Sequence, residues 1–214
     1  MQPLFPPLYA ILDIAAIESA KRLPEALAAG GIQLIQLRDK TASPRAIFDA
    51  SKKLMSLLAS QDFRAGVRVI INDRPDLAAI VGAGGVHVGQ EDLPVEEARK
   101  ICGKGRWVGV STHNLEQFRA AAATSADYIA VGPIFSTATK ENPDPAVGVE
   151  FLRAIRPLTR KPLVAIGGIT IESAEALYRA GADSLAAISD LVAAPNPAQR
   201  AGEYLAIAAR VHAQ

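Results

Sequence analysis

Eight short apolar runs recur along this chain with helix-forming segments between them, and this repetition constrains the fold more than any other feature. The runs are rich in Val, Ile, Leu and Ala, which is typical of strands buried on both faces of a parallel sheet. They are Tyr9 to Leu12, Ile32 to Leu37, Val67 to Ile71, Val86 to Val88, Trp107 to Val110, Tyr128 to Val131, Leu163 to Ile166 and Ser184 to Ile188. The pattern predicts a parallel sheet with one strand for each run.

The segments between the runs combine helical spacing of apolar residues with good helix formers. They are Ile17 to Ala28, Pro44 to Ser60, Val95 to Cys102, Leu115 to Ala123, Val149 to Ile155 and Ser173 to Ala180. Several helices are expected to end at an Ala-Gly step, where glycine can adopt the left-handed conformation of a C-terminal cap. Because no linker rich in Pro, Gly or Ser divides the chain, we predict a single domain over residues 1–214.

This alternation fits both a (β/α)8 barrel and a doubly wound open sheet. An open sheet gathers its ligand groups at one switch point, whereas a barrel draws them from the carboxyl ends of nearly every strand. Polar residues follow almost every run in this chain, and no Gly-x-Gly-x-x-Gly dinucleotide motif follows the first run. We therefore predict an α/β fold, a single-domain (β/α)8 TIM barrel.

Composition argues against several classes of function. The 23 Lys and Arg residues balance 22 Asp and Glu residues, so no overall field would draw the chain to nucleic acid or to an anionic membrane. The apolar stretch from Leu8 to Ile17 contains Asp13 and has no positive leader, so we expect a strand there and not a signal peptide or membrane span. The single cysteine, Cys102, cannot form an internal disulfide, which favours the reducing cytoplasm.

Two aspartates follow consecutive runs at the points where the strands would end. Asp73 comes directly after Asn72, and Asp92 comes shortly after Val88. Neighbouring strand ends would place both carboxylates in one mouth, where they repel unless a cation neutralises them. Mg²⁺ takes one or two protein carboxylates together with substrate phosphates, so the pair predicts a magnesium site. Asn72-Asp73 alone is equally typical of a turn, and His87 is more typical of a hydrogen-bonded core histidine than of a magnesium ligand.

A phosphate-binding group follows the second run. Alternation along an extended chain points Gln36, Arg38 and Lys40 to one side. A guanidinium grips phosphate oxygens in pairs and an ammonium adds a point charge, so these residues predict a diphosphate site. The alternative is a solvated loop with an Arg38–Asp39 ion pair.

The fifth and sixth runs are followed by further candidates. Ser111 fits a helix N-cap and a phosphate ligand equally well, and His113 has no evident carboxylate partner. The long polar stretch from Gly132 to about Gly148 contains Lys140 and is typical of a lid that excludes water from a barrel site. We interpret Lys140 as a functional cation and not as a solvated loop lysine.

A second anion site is predicted where many barrels bind phosphate through backbone N–H groups, after the seventh and eighth strands. Gly167 and Gly168 follow the seventh run, and Ser189 follows the eighth. Glycine lets a phosphate approach the main chain closely, although a tight turn would use the same residues.

Taken together, these residues resemble the thiamine phosphate synthase family from Leu8 to about Asp190. Seven motifs stand in the family's order at comparable spacing: Gln36 to Lys40, Ile71 to Arg74, Gly85 to Asp92, Gly109 to His113, Gly132 to Lys140, Ala165 to Ile169 and Ile188-Ser189. The resemblance implies a transferase of thiamine biosynthesis. It would join an aminopyrimidine methyl diphosphate to a thiazole ethyl phosphate and release diphosphate.

The resemblance also implies a role for each site residue. Contacts to the pyrimidine diphosphate fall on Gln36, Leu37, Arg38, Asp39, Lys40, Asn72, Ser111 and Lys140, of which Arg38, Lys40, Lys140 and Ser111 are catalytic. Contacts to the thiazole phosphate fall on Thr137, Ala138, Thr139, Gly168, Ile188 and Ser189. Asp73 and Asp92 become ligands of a Mg²⁺ cofactor. The implied substitution is dissociative, so it requires no protein nucleophile.

Two other functions remain open at this point. A thiazole tautomerase on the same barrel would use a histidine near the fifth strand, and His113 is available for that role. A non-enzymatic phosphate sensor would need only the site around Gly168 and Ser189. Neither alternative explains Asp73 and Asp92. The expected partners are two small phosphorylated substrates, without nucleic acid or membrane, and a homo-oligomer is left open.

Overall fold

Parallel strands form a closed barrel in the computed structural model, which describes residues 5–19, 22–59, 66–136 and 145–213. The eight strands of this part of the chain are β1 (Leu8–Leu12), β2 (Leu34–Leu37), β3 (Arg68–Asn72), β4 (Gly85–Val88), β5 (Trp107–Thr112), β6 (Tyr128–Val131), β7 (Leu163–Ile166) and β8 (Ser184–Ala187). Strands adjacent in sequence pair in parallel, and β8 pairs with β1, with Leu8 opposite Leu185. The predicted (β/α)8 barrel is confirmed.

Helices connect the strands and surround the barrel. Within the described ranges they are α1 (Ile14–Glu18), α2 (Leu23–Ala29), α3 (Pro44–Ala59), α4 (Pro75–Val81), α5 (Val95–Cys102), α6 (Leu115–Ala123), α7 (Gly148–Ile155), α8 (Ile171–Arg179), α9 (Ser189–Val192) and α10 (Pro197–His212). A short 3-10 helix, Arg156–Leu158, follows α7. None of the helices in this part of the chain is both long and apolar enough to cross a bilayer.

The helix predicted from Ile17 to Ala28 is wrong, because the structure has two helices there. The side chain of Asp13 accepts a hydrogen bond of 2.7 Å from the N–H of Ala16 and starts α1. Pro24 lies in the first turn of α2, the position where a missing N–H removes no helical hydrogen bond. Proline inside one continuous helix would break it, so the segment divides before Leu23.

Three further helices, α4, α9 and α10, lie outside the predicted segments. Proline is at the start of both α4 and α10, and the side chain of Asn196 caps α10 by accepting from the N–H of Gln199 at 3.1 Å. These are recognisable start signals. The helix α9 has only four residues, which is too short to produce a periodic pattern.

The strands send alternate side chains into the barrel and out towards the helices. The inner cluster consists of Tyr9, Ile11, Leu34, Ile70, Tyr128, Ala130, Val164 and Ala186. A larger cluster fills the layer between strands and helices, where Leu37, Ile71 and Leu185 are almost completely buried. Each such aliphatic side chain contributes about 1.5–3 kcal/mol when it leaves water. Because all strands run in the same direction, their carboxyl ends meet at one rim of the barrel.

The packing of the barrel interior requires a residue without a side chain at position 109, and this residue is Gly109. A Cβ built at this position would lie 2.0 Å from Cζ of Tyr128, whose ring is fully buried. A side chain at position 109 would therefore displace the tyrosine that fills the barrel centre. Tyr128 in turn contacts the ring of Phe5, with ring centroids 5.1 Å apart.

We predict that Gly109→Ala destabilises the protein by about 1–3 kcal/mol or more, because the interior is overpacked. Thermal unfolding should detect this as a lower Tm. Gly202→Ala is the matched control, since a Cβ there meets no atom within 4 Å and alanine favours helix α10. An unchanged Tm in Gly109→Ala would show that Tyr128 can relocate without cost.

Candidate active site

A cavity of about 630 Å³ opens at the carboxyl ends of the strands. Every strand, or the residue just after it, contributes to its lining: Ile11, Gln36, Asn72, His87, Ser111, Ala130, Ile166 and Ile188. The carboxyl-terminal rim is the face at which barrel enzymes bind substrates. The cavity lining combines apolar side chains, such as Ile11, Val164 and Ala186, with many polar and charged ones, which suits a charged small molecule.

The predicted alternation after β2 is present. Gln36, Arg38 and Lys40 all line the cavity. Leu37 and Asp39, which the resemblance also placed in contact with the pyrimidine diphosphate, do not line it. Leu37 is 1% exposed and packs in the outer core, and one carboxylate oxygen of Asp39 accepts from the backbone and hydroxyl of Thr41.

Asp73 and Asp92 lie together at the rim, as expected for neighbouring strand ends. The carboxylate of Asp92 is close enough to raise the pKa of Asp73, and Nζ of Lys40 is 3.9 Å from Oδ2 of Asp73. Oδ2 of Asp92 also accepts from the N–H of Gly89 at 2.7 Å, which holds the loop after β4. Both aspartates line the cavity.

Asp73 is held in an unfavourable conformation and an unfavourable electrostatic environment. Its φ of +58° lies in the left-handed region, which few residues other than glycine adopt without strain. Its N–H donates to the carbonyl of His87 at 2.7 Å, which fixes the backbone there. Burial, followed by the hydrogen bond and charge of Asp92, raises the pKa of Asp73 to about 6, against the opposing charges of Lys40 and Arg38. Asp73 therefore holds a proton more tightly than an isolated aspartate does.

The aspartate pair fits a divalent cation. Two neighbouring carboxylates that repel each other can share a metal ion, and oxygen ligands suit Mg²⁺. Within the described ranges, no group of three or more His, Cys, Asp or Glu side chains could hold a metal. The remaining ligands would therefore be waters and substrate oxygens, which is the usual arrangement for Mg²⁺.

His87 is a buried, hydrogen-bonded histidine. Its Nε2 is 2.8 Å from Oγ of Ser111, and its Nδ1 is 3.1 Å from the hydroxyl of Tyr128. Burial, together with the charge of Arg38, lowers the pKa of His87 to about 4, so the ring is neutral at physiological pH. Both nitrogens have protein partners, which agrees with the interpretation of His87 as a hydrogen-bonded core residue.

Tyr9 lines the cavity and Tyr128 lies next to it in the barrel interior, although the sequence pattern predicted no role for either. Their hydroxyls are 2.9 Å apart inside the barrel, and Tyr9 also accepts from Nε2 of Gln36 at 2.7 Å. A tyrosine in a fully buried strand needs a hydrogen-bond partner for its hydroxyl. That requirement could have indicated from the sequence that these tyrosines contact polar residues of the site. Gln90 was also missed, and its side chain donates to the carbonyl of Ser111 at 2.6 Å.

The predicted thiazole phosphate site is only partly described. Thr137, Ala138, Thr139 and Lys140 lie outside the described residues. Ile188 lines the cavity beside Gly167, whereas Gly168 and Ser189 do not line it. Gly168 has a φ of +64°, and a Cβ there would lie 2.8 Å from the carbonyl oxygen of Ser136. The loop after β7 therefore packs directly against the segment that follows β6.

His113 lies on the cavity wall after β5. Its ring atom Nδ1 is 2.5 Å from the carbonyl oxygen of Gly132, and its backbone N–H donates to Oε1 of Gln117 at 2.8 Å. Because a carbonyl only accepts, Nδ1 carries a proton. These contacts fix the ring between the fifth and sixth strands.

Comparison with known proteins agrees with this arrangement. The chain matches the family described as "Thiamine monophosphate synthase" over residues 8–191. This chain belongs to the thiamine monophosphate synthase family. The suspected resemblance is thereby confirmed, and the match includes every strand of the barrel.

Curated relatives and a solved structure are similar over nearly the whole chain. A thiamine-phosphate synthase of Koribacter versatilis (strain Ellin345) is 46% identical over 208 residues, covering 94% of this chain and 95% of that protein. One from Chloroflexus aurantiacus is 42% identical, with 94% and 91% covered. The structure of thiamine phosphate pyrophosphorylase from Pyrococcus furiosus has a TM-score of 0.83 at 30% identity and covers 96% of each chain. The predicted enzyme class, a transferase, agrees with these names.

The raised pKa of Asp73 predicts a pH-dependent effect of Asp73→Asn. Between about pH 4 and pH 6 the folded state binds more protons than the unfolded chain, so Asp73 lowers stability as the pH rises. In metal-free buffer containing EDTA, the variant should therefore have a higher Tm than wild type at about pH 8, and this gain should vanish near pH 4.

Asp49→Asn is the control for this measurement, because Asp49 is an exposed carboxylate paired with Arg45 on α3. Its effect on Tm should be small at both pH values. A gain for Asp73→Asn that is the same at both pH values would argue against charge repulsion as the cause. The φ of +58° provides an alternative source of such a gain, since asparagine tolerates left-handed backbone better than most residues.

Proposed function

We propose that this protein is a thiamine phosphate synthase that couples an aminopyrimidine methyl diphosphate with a thiazole ethyl phosphate. The products are thiamine phosphate and diphosphate. The observation that carries the proposal is the meeting of Asp73 and Asp92 with Arg38 and Lys40 in one cavity of a family member. A site that binds only a phosphate monoester has no need of a half-buried carboxylate pair beside two cations.

The cationic side chains hold the leaving group in this proposal. Arg38 and Lys40 line the same side of the cavity as Asp73, where they would bind diphosphate oxygens. Ser111 lies on the neighbouring wall and adds a hydroxyl donor. Asp73 and Asp92 would hold Mg²⁺, which when bound neutralises charge developing on the diphosphate. Lys140 completes the cationic set by resemblance, from a segment outside the described residues.

The bond changes place few demands on protein acids and bases. The bond between the pyrimidine methylene carbon and the diphosphate oxygen breaks, and the electron pair leaves with the oxygen. The pyrimidine amino group donates electron density to the resulting cation, and the thiazole nitrogen then forms the new carbon–nitrogen bond. Apolar walls at Ile11, Val164 and Ala186 would keep water from the cation. Catalysis therefore depends mainly on positioning and charge.

The second substrate is assigned to the opposite side of the cavity. Ile188 and Gly167 line the cavity there, and the family resemblance adds Gly168, Ser189 and Thr137 to Thr139. Separate anion sites for the two substrates would bring the thiazole nitrogen towards the pyrimidine methylene without placing the two phosphates together. We also propose a cytoplasmic location, since Cys102 is a free, buried thiol.

Asp92→Ala tests the metal assignment. The substitution removes one of two carboxylates at the rim, so kcat/KM for formation of thiamine phosphate should fall by about 100-fold or more at fixed Mg²⁺. Product is measured by chromatography after incubation of both phosphorylated substrates with and without Mg²⁺. Asp76→Ala is the control, because Asp76, in the first turn of α4, pairs with Arg74 just before the helix and does not line the cavity. Turnover like wild type in Asp92→Ala would remove the metal assignment.

Lys140→Ala and His113→Ala separate the synthase from a thiazole tautomerase. In a synthase the lysine assists diphosphate departure, so its loss should lower kcat strongly, whereas His113→Ala should have a small effect on coupling. His113 lines the cavity, which is the observation that keeps the tautomerase as the second candidate. An essential His113 with a dispensable Lys140, measured in coupling and tautomerisation assays, would favour the tautomerase.

A further inference from the structure

A continuous chain of hydrogen bonds crosses the barrel beneath the cavity. Nε2 of Gln36 lies 2.7 Å from the hydroxyl of Tyr9, which lies 2.9 Å from the hydroxyl of Tyr128. The chain continues to Nδ1 of His87 at 3.1 Å and from Nε2 of His87 to Oγ of Ser111 at 2.8 Å. The first four residues are between 0% and 7% exposed. Buried polar groups of this kind must satisfy one another, because water does not reach them.

The direction of each bond follows from counting protons. Gln36 donates an amide N–H to Tyr9, so Tyr9 accepts there and its own O–H donates to Tyr128. Tyr128 then donates its single proton to Nδ1 of His87, which must be unprotonated. A neutral imidazole with a bare Nδ1 carries its proton on Nε2, and that N–H donates to Oγ of Ser111.

We propose that Tyr9, Tyr128 and His87 are positioning residues that set the hydrogen-bonding polarity of the two cavity residues at the ends of this chain. At one end the amide of Gln36 is fixed with its carbonyl oxygen as an acceptor for ligand. At the other end Ser111 already accepts from His87, so its O–H is a donor for ligand. Both end residues line the cavity, and in the described part of the chain no residue pairs with that carbonyl or accepts from that hydroxyl.

This polarity specifies the chemistry of the ligand, and here the inference rests on the proposed function. An acceptor at Gln36 matches an N–H donor such as the amino group of an aminopyrimidine. A donor at Ser111 matches an oxygen of the diphosphate. A pyrimidine with an oxo group in place of the amino group would set two acceptors against each other, and its affinity, measured as Kd without turnover, should fall on the order of ten- to hundredfold.

The same polarity separates Ser111 from a catalytic nucleophile. A serine and a histidine nitrogen 2.8 Å apart resemble a nucleophile–base pair. A base must accept the hydroxyl proton, but Nε2 of His87 already carries a proton that it donates to Ser111. Ser111 therefore acts as a hydrogen-bond donor, in agreement with a dissociative reaction that has no covalent protein intermediate.

The first test measures the tautomer of His87 directly and requires no turnover. Two-bond proton–nitrogen correlation spectra of the full chain, labelled with ¹⁵N-histidine, distinguish a protonated Nε2 from a protonated Nδ1. His87 is one of three histidines, so its signals are assigned by their loss in His87→Gln. We expect a protonated Nε2 and an unprotonated Nδ1 at neutral pH. A protonated Nδ1 in the wild-type protein would overturn the proposal.

The second test reverses the direction of the hydrogen bonds by a substitution at Gln36, the end of the hydrogen-bond chain that is far from His87. A carboxylate in Gln36→Glu can only accept, so Tyr9 would donate to it, Tyr128 would donate to Tyr9, and His87 would donate from Nδ1. The His87 tautomer should therefore switch in a variant whose substitution is two tyrosines away. In the double variant Gln36→Glu/Tyr9→Phe the chain is interrupted, and the protonated Nε2 should persist. A folded Gln36→Glu protein with the wild-type tautomer at alkaline pH would contradict the proposal.

The third test uses kinetics and covers the case in which Gln36→Glu does not fold. Tyr9→Phe removes the hydroxyl that holds the amide, so kcat/KM for the aminopyrimidine diphosphate should fall about tenfold. Tyr178→Phe is the matched control, because its buried hydroxyl donates to the carbonyl of Pro7 ahead of β1, away from the cavity. It should lower Tm by a comparable amount without changing kcat/KM. Equal kinetic losses in both variants would show a merely structural role for Tyr9.

The two kinds of measurement separate the inference from the proposed function. If the wild-type protein produced no thiamine phosphate, the proposed function would fail. The tautomer spectra would still decide the direction of the hydrogen bonds between Gln36 and Ser111. If coupling occurred but His87 had the opposite tautomer, the proposed function would stand and the positioning role would fail.

Discussion

Closure of a sheet whose strands all run in the same direction is the constraint on which the rest of this structure depends. Pairing of β8 with β1 removes the open edges and gathers the carboxyl ends of the strands at one rim. Residues far apart in sequence, such as Gln36 and Ile188, thereby line one cavity. Closure alone assembles the site, because each strand, or the residue just after it, contributes a side chain to the same cavity.

Closure also creates an interior that side chains must fill, and here the filling is partly polar. Tyr9 and Tyr128 occupy the barrel centre, where Gly109 leaves room for the ring of Tyr128. A buried hydroxyl without a partner costs about 1–3 kcal/mol, so each tyrosine must be hydrogen-bonded. The available partners are the inward-facing polar residues one layer higher, Gln36 and His87. Packing and ligand recognition are therefore joined through the same hydroxyl groups.

Much of this arrangement could be predicted from the sequence, because buried parallel strands produce uninterrupted apolar runs that are easy to recognise. The alternation after β2 also predicted the inward direction of Arg38 and Lys40. The same alternation turns Leu37 away from the cavity, so not every residue of the motif can contact a ligand there. The role of Tyr9 could not be read from its run, because a tyrosine among apolar residues has the same pattern whether its hydroxyl is paired within the barrel or elsewhere.

The two halves of the proposed pyrimidine diphosphate site differ in how well their polar groups are satisfied by the protein. The hydrogen bonds that link Gln36 to Ser111 are made within the protein, so the donors and acceptors at both ends are already oriented before a ligand arrives. The pair of Asp73 and Asp92 is not satisfied in this sense, since burial and mutual repulsion raise the pKa of Asp73. A cation bound between the two carboxylates would relieve that repulsion at neutral pH. The energy released would add to the binding free energy of the cation. In the proposed function, specificity thus resides in the neutral network, and the carboxylate pair would supply affinity for a cation that accompanies the diphosphate.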